Sequence, residues 1–286
     1  MTKIRNSDLH MHSTASDGGY SPKELVEKCA GVGLRIISLT DHDTVQGIRP
    51  AIETAKPLNI TVIPGIEFST KFKGKSVHIL GFGIDWTNEE LNTMLTKQRD
   101  MRRRRLDTIL EKLVNVGLVV NAEDVLKHVD GGSIGRPHVA KALIEYGYVK
   151  DVAEAFDRYL AEGQPCYVDK ENEMSVKEAI EWIHKTNGIA VVAHPSYYGL
   201  DEAIGDWVSK WSLDGIEVYH RDHSEEDIRR YEKLCTEIEI QTGSSLLRTG
   251  GSDFHHEDYG RVPGRLGETR LADTYAHQVI ERLEKN

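Results

Sequence analysis

The chain has 286 residues, enough for one large α/β domain or for a barrel that carries an insertion. Its net charge of −10 argues against attraction of the whole surface to nucleic acids or membranes, and no apolar run approaches the roughly 20 residues that span a bilayer. Three widely spaced cysteines and an N-terminus without an apolar signal core favour a reduced, cytoplasmic protein.

Short apolar runs alternate with helical patterns along most of the chain. Helices begin at two capping boxes, Ser21 with Glu24 and Ser175 with Glu178. The alternation predicts a mainly parallel sheet with crossover helices, and polar residues at the strand ends favour a closed barrel. We therefore expect the α/β class, as a distorted (β/α)7 TIM-like barrel. Strands are predicted at residues 4–10, 35–40, 60–68, 77–84, 188–195, 215–219 and 247–252.

One connection is too short for a crossover helix. Only ten residues separate Glu67 from His78, and residues 71–75 have the pattern of a hairpin turn. A turn centred near Phe72 and Lys73 would place Glu67 opposite His78 on neighbouring antiparallel strands, where the two side chains can share a metal ion.

The strand pattern stops between residues 86 and 166, where only helical patterns follow one another. We interpret this stretch as a small all-helical insertion after the fourth strand, acting as a substrate cap at the barrel mouth. The predicted domains are a barrel of residues 1–85 and 167–286 and an insertion of residues 86–166.

Imidazoles and carboxylates, the side chains that bind divalent metals without thiols, lie at or near the strand edges. His10 and His12 are two residues apart in a strand and point to the same side, and Asp253 and His255 repeat this spacing. Each motif alone also fits a solvated strand end or an ordinary turn. Together they predict a cluster of two or three metal ions, and such clusters are typical of phosphate-ester hydrolysis. The candidate ligands are His10, His12, Asp17, His42, Glu67, His78, His194, Asp253 and His255.

The segments DLHMHSTASDG, LTDHDT, PGIEFS, VHILGF, VVAHP and GSDFHH resemble those of the PHP (polymerase and histidinol phosphatase) metallophosphoesterases, in the family order and from end to end of the barrel. This resemblance implies a first ion on His10, His12, Glu67 and Asp253. It implies a second on Glu67, His78 and His194, and a third on Asp17, His42 and His255. For these mixed histidine and carboxylate ligands we predict Mn²⁺, with Zn²⁺ or Fe²⁺ as alternatives.

The insertion resembles a branch of that family that contains 3′,5′-nucleoside bisphosphate phosphatases and 5′-to-3′ exonucleases of short RNA. Residues 97–112 carry seven basic and three acidic side chains, an inversion of the chain's overall charge that favours phosphate capture over a merely solvated helix face. For His138 the alternative to a phosphate contact is a role in capping a helix. For His223 the alternative to a substrate contact is simple placement on the surface. The candidate substrate-binding residues are Arg102, Arg103, Arg104, Arg105, Arg136, His138 and His223.

The ligand pattern predicts a metal-dependent phosphoesterase, and the resemblance implies that it acts on a nucleotide or a short single-stranded RNA, without stable binding of duplex DNA. Metal-activated water would attack phosphorus, with Asp253, His194 and Glu67 as the residues assigned to the reaction and Arg136 neutralising phosphoryl charge. One alternative is a small-molecule phosphomonoesterase such as a histidinol-phosphate phosphatase. Others are a metal-dependent amidohydrolase, although no lysine stands at a strand end, and a non-catalytic metal- or RNA-binding module.

Overall fold

A computed structural model describes residues 4–128, 134–169, 173–257 and 264–285. Within these ranges the strands are β1 (Ser7–Asp8), β2 (Ile36–Leu39), β3 (Thr61–Phe72), β4 (Lys75–Phe82), β5 (Ile189–Val192), β6 (Gly215–His220) and β7 (Leu247–Gly251). The α-helices are α1 (Pro22–Gly31), α2 (Ile48–Ala55), α3 (Glu89–Asn115), α4 (Ala122–Leu126), α5 (Arg136–Glu145), α6 (Val152–Ala155), α7 (Val176–Lys185), α8 (Asp201–Trp211), α9 (Glu225–Thr242) and α10 (Asp273–Leu283).

The seven strands form one sheet in chain order, β1 to β7. Strand β4 runs antiparallel to both of its neighbours, and the other adjacent strands are parallel. The first and last strands approach each other, because Leu9 N donates to Gly250 O at 3.2 Å and His12 N donates to Phe254 O at 2.9 Å. These bonds nearly close the sheet, so the predicted seven-stranded α/β barrel is confirmed.

Helices pack on the outside of this sheet through the faces that the sequence makes apolar. Both predicted capping boxes are present, at Ser21 with Glu24 and at Ser175 with Glu178. The buried side of α1, which includes Leu25, belongs to one apolar cluster with residues of β2. No helix in the described ranges is both long and apolar enough to cross a bilayer.

The hairpin between β3 and β4 is present, but its register differs from the prediction. The turn is centred on Lys73 and Gly74, one residue later than expected, and both have positive φ, as a two-residue hairpin turn of this kind requires. Glu67 therefore pairs with Leu80 and not with His78. His78 lies two positions along β4, and since alternate residues share a face, its ring still reaches Glu67.

The chain divides into two compact units, Met1–Asn92 with Met174–Asn286 and Thr93–Glu173. The sequence placed these limits at residues 86 and 166. Helix α3 runs without a break across the first limit, so no turn signal marks it. The second unit contains most of α3 with α4, α5 and α6, and it has an apolar core of its own, in which Leu106, Val139 and Leu143 are fully or almost fully buried.

Two glycines allow β7 to lie against the neighbouring backbone. A Cβ atom added to Gly250 would stand 2.5 Å from Tyr219 O, and one added to Gly251 would stand 2.5 Å from His10 N. Real Cβ atoms are not found this close to backbone atoms. The close contacts of this pair are therefore with β6 and with the residues that follow β1.

We expect Gly251→Ala to lower the free energy of unfolding by about 2 kcal/mol or more, because the backbone around His10 must move to admit a methyl group. Urea denaturation measures this change. Gly31→Ala is the matched control: it meets no atom within 4 Å at the end of α1 and should be neutral or stabilising by about 0.5 kcal/mol. Equal effects of the two substitutions would contradict the close approach.

Candidate metal centre

The strand ends place pairs of candidate ligands side by side. The residue between His10 and His12 forms a parallel bridge with Phe254, which lies between Asp253 and His255. Backbone pairing thus continues beyond β1 and β7. Residues two apart in a strand share a face, so His10 and His12 lie next to Asp253 and His255.

Glu67 lies at the centre of the cluster, fully buried in β3. Five imidazole nitrogens stand within 3.3 Å of its carboxylate. Oε2 contacts Nε2 of His10 and of His12 at 3.1 Å and Nδ1 of His42 at 3.3 Å, and Oε1 contacts Nδ1 of His78 at 2.8 Å and Nε2 of His194 at 3.1 Å. The two oxygens therefore face two different sets of rings.

His42 reaches Glu67 because pairing between the second and third strands continues past β2. Glu67 N donates to Asp41 O at 3.2 Å and Asp43 N donates to Glu67 O at 3.0 Å, which sets His42 beside the glutamate. The Asp41 carboxylate accepts from Ser13 N at 2.7 Å. Asp41 thereby holds the loop after His12 rather than a histidine ring.

Asp253 is the second acid of the cluster. Its Oδ1 lies 3.1 Å from His12 Nε2 and 3.4 Å from His10 Nε2. Asp253 and His194 have φ angles of 49° and 27°, a region that costs free energy for residues other than glycine. The fold thus maintains strained backbone at two candidate ligands, a pattern typical of functional sites.

A further group surrounds Asp17. Its Oδ1 lies 3.2 Å from His255 Nε2, and its Oδ2 lies 3.8 Å from His42 Nε2. His255 Nδ1 lies 3.0 Å from the Asp253 carbonyl oxygen, so a proton on Nδ1 leaves the Nε2 lone pair facing Asp17. His12 joins this group through Nδ1, at 3.7 Å from Asp17 Oδ1.

Three of the ligand groups that these atoms form contain predicted residues only, with ligand atoms within 4.8 Å of one another. They are His10, His12, Glu67 and Asp253; His42, Glu67 and His78; and His12, Asp17, His42 and His255. The first group coincides with the set implied by the resemblance. The second group contains His42, where the resemblance implied His194. Both rings contact the Glu67 carboxylate, His42 through Nδ1 and His194 through Nε2.

The charges of the cluster are strongly coupled. Burial opposes the charged forms, but the surrounding histidines hold the pKa of Glu67 well below its usual range, and the same is true of Asp253. Burial lowers the pKa of His42 to about 4, which leaves that ring neutral and able to donate a lone pair.

The arrangement fits metal ions better than a hydrogen-bonded core. His12 Nε2 and His42 Nδ1 are buried close to Glu67, yet neither has the geometry of a hydrogen bond to a described residue. Buried polar nitrogens without hydrogen bonds are costly, and lone pairs that converge on carboxylate oxygens are what a divalent cation requires.

The sequence analysis missed Glu217 and His220, both on β6. Glu217 is fully buried; its Oε1 lies 2.9 Å from His10 Nδ1 and its Oε2 accepts from His194 N at 2.7 Å. The charge of His10 outweighs burial and lowers the pKa of Glu217 to about 2. His220 Nε2 lies 3.6 Å from Asp253 Oδ2. Glu217 could have been found from the sequence, because an acidic residue inside an otherwise apolar strand is unusual.

The arginine run of α3 does not form one uniform surface. Arg103 and Arg104 are exposed, and Arg103 pairs with Asp107. Arg105 is half-buried and donates through Nε and Nη2 to Val168 O at 3.0 and 2.8 Å. Burial and the nearby charge of Arg136 lower the pKa of Arg105, so these two guanidinium groups stand close enough to repel each other.

Three further predicted contacts have structural partners. His138 Nδ1 accepts from Gly135 N at 3.0 Å and caps α5, which was the alternative interpretation. His223 is buried rather than on the surface, with Nδ1 2.8 Å from Val218 O. Arg136 donates to Leu160 O at 2.9 Å.

Known proteins resemble this chain in sequence and in fold. A family model described as PHP domain matches residues 8–238. A 5′-3′ exoribonuclease of Haemophilus influenzae is 37% identical, over 87% of this chain and 89% of that protein. A 3′,5′-nucleoside bisphosphate phosphatase of Chromobacterium violaceum is 31% identical, over 98% and 97%. A crystal structure described as a metal-dependent phosphoesterase of Bifidobacterium adolescentis has a TM-score of 0.76 and 30% identity, over 98% and 96% of the two chains.

We expect Glu217→Gln to lower the affinity for Mn²⁺ by about 10- to 100-fold, because an amide cannot accept from both His10 and His194 N. Isothermal titration of metal-free protein measures the change. Glu232→Gln is the matched control, since the described contacts of Glu232 are with Tyr219 and Arg248. Unchanged affinity in Glu217→Gln would show that the carboxylate does not orient His10.

Metal affinity should also depend on pH. Burial disfavours a charged His12, but its contacts with Asp253 and Glu67 prevail and raise the pKa of His12 to about 10. The ring therefore holds an extra proton at neutral pH that a metal ion must displace. Since a rise in pH removes this competing proton, affinity should rise by roughly tenfold per pH unit for each proton displaced. Titrations in buffers of different ionisation enthalpy would count the protons, and release of none would refute this.

Proposed function

The chain belongs to the PHP domain family, and on this basis we propose that it hydrolyses a phosphate ester of a nucleotide. The proposed substrates are nucleoside 3′,5′-bisphosphates, which lose the 3′-phosphate, and short RNA degraded from its 5′ end. The protein is a metal-dependent phosphoesterase. The observation that carries the proposal is the Glu67 carboxylate, whose two oxygens face two sets of imidazoles.

The nine predicted ligands are proposed to hold two or three divalent ions. Glu67 would be shared, with Oε2 in the set of His10, His12 and Asp253 and Oε1 in the set of His78 and His194. Asp17 would belong to a third set with His42 and His255. When bound, such ions supply hydroxide near neutral pH and positive charge for phosphoryl oxygens. Mn²⁺ is the proposed metal, with Zn²⁺ and Fe²⁺ as alternatives.

The protein's own groups orient this site. Glu217 accepts a hydrogen bond from His10 Nδ1, which leaves the Nε2 lone pair directed at the ligand cluster. Asp222 N donates to His220 Nδ1 at 3.1 Å, so the neutral ring carries its proton on Nε2, next to Asp253 Oδ2. Asp253 thus lies between His12 and a proton-bearing ring, and we propose that it assists proton transfer.

Arg105 and Arg136 of the helical unit are proposed to bind the terminal phosphate of the substrate. Two neighbouring guanidinium groups attract a dianion, and their planar forks match phosphate oxygens. In bonds to described residues, Arg105 uses two of its five donors and Arg136 uses one, which leaves donors for a ligand. Arg102, Arg103 and Arg104 are the weaker part of the proposal, because Arg103 and Arg104 are exposed and Arg103 pairs with Asp107.

Purified protein with Mn²⁺ should release phosphate from adenosine 3′,5′-bisphosphate, and EDTA should abolish the release.

Arg136→Gln should raise KM by about 10- to 100-fold, the loss expected for charge-assisted hydrogen bonds, with little change in metal content. Arg158→Gln, which removes an exposed arginine of the same unit that pairs with Glu154 and is not a candidate substrate contact, is the matched control. Faster hydrolysis of histidinol phosphate would favour a small-molecule phosphatase, and metal binding without any hydrolysis would favour a non-catalytic module.

A further inference from the structure

Tyr197 is an exposed aromatic residue next to a candidate ligand. It ends the short 3₁₀ turn Pro195–Tyr197 that follows His194. About half of its surface, 49%, is exposed, and it is the one exposed aromatic side chain among the described residues of the barrel unit. Its ring centroid lies 4.9 Å from that of His194 and 5.9 Å from that of His220.

The exposed ring is held in place. The hydroxyl of Tyr197 donates to Asp222 in the loop after β6, while the backbone is fixed by the turn behind His194. Burial and the bond to Asp222 raise the pKa of Tyr197, so the hydroxyl remains a donor. An exposed ring that is fixed at both ends loses little entropy when a planar group stacks on it.

The neighbouring residue shows what a purely supporting tyrosine looks like here. Tyr198 is buried, its hydroxyl lies 2.9 Å from His194 Nδ1 and it accepts from His78 N at 2.9 Å. Both predicted ligands on that side are therefore already supported by Tyr198. Tyr197 adds none of these bonds, and its exposed surface has no described role in holding the ligands.

A nucleotide supplies a planar partner for that surface. If the scissile phosphate lies at the ligand cluster, the sugar and base extend from it by only a few bonds, within the surroundings of His194. Bases of single-stranded nucleic acids commonly stack on tyrosine rings, and such stacking tolerates different bases because each has a π face. Aliphatic side chains of similar size offer no equivalent surface.

We propose that Tyr197, positioned by Asp222, is a specificity-determining residue that stacks on the base of the nucleotide substrate. This rests on the proposed function, since it assumes that a nucleotide is the substrate. The proposal assigns a contact with the base to a residue of the barrel unit, in addition to the phosphate contacts proposed for the arginines.

Two ligands that differ only in the base provide the test. Adenosine 3′,5′-bisphosphate carries a base, and the 3′,5′-bisphosphate of 1′-deoxyribose carries the same phosphates without one. Dissociation constants would be measured by calorimetry on the Mn²⁺-loaded full chain, for the wild type, Tyr197→Leu and Tyr197→Phe. Both ligands are used as 3′-phosphonate analogues, in which a methylene group replaces the ester oxygen, so that the protein does not hydrolyse them during the titration. The ratio of the two constants reports the contribution of the base alone.

We expect Tyr197→Leu to reduce the preference for the base-bearing ligand by about 10-fold, and Tyr197→Phe, which keeps the ring, to reduce it by less than about 3-fold. An unchanged ratio in Tyr197→Leu would overturn the proposal. So would equal weakening of both ligands together with loss of bound Mn²⁺, because Tyr197 would then only support His194. Phosphate release is scored separately, so the proposed function can fail while the binding ratio still decides the role of Tyr197.

Discussion

The side chain of Glu67 has no exposed surface, and five imidazole rings surround its carboxylate. An ionised carboxylate without partners costs several kcal/mol in such a place. The rings come from the segments after β1, β2 and β5 and from β4, so these strands must present their ends at one edge of the sheet. Burial of a single acid thus constrains the order, direction and register of more than half the barrel.

The backbone around the cluster is strained and closely packed. Asp253 and His194 keep strained backbone, and Gly251 leaves no room for a side chain beside His10. Such features are compatible with a stable protein only where the neighbouring packing determines them completely. Rigid ligands also select for the coordination geometry that a metal ion prefers, which relates the strain to the proposed chemistry.

Much of the fold could be predicted because each strand and helix carries local signals. Alternating apolar runs and two capping boxes indicated the barrel, and side chains at the strand ends indicated the cluster. The pairing of Glu67 with Leu80 was missed because the turn type depends on where positive φ is tolerated, and Lys73 adopts it as well as Gly74. Glu217 was missed because its partners lie far away in the sequence.

The arginine run shows a different limit. Four identical residues in sequence have different surroundings, since one face of α3 turns inward and the opposite face turns to solvent. Composition measures the charge of such a run but not which guanidinium is held in place. Only the contacts of Arg105 and its proximity to Arg136 distinguish it from Arg103 and Arg104.

The two connections of β4 differ in how much length variation they can accept over evolution. The turn at Lys73 and Gly74 sets which face His78 occupies, so insertion or deletion of a single residue would move that ring away from Glu67. The opposite end of the strand carries no candidate ligand and leads into the whole unit Thr93–Glu173. Relatives that acquire new substrate preferences by gaining or losing sequence should therefore do so after β4, and keep the preceding hairpin at constant length.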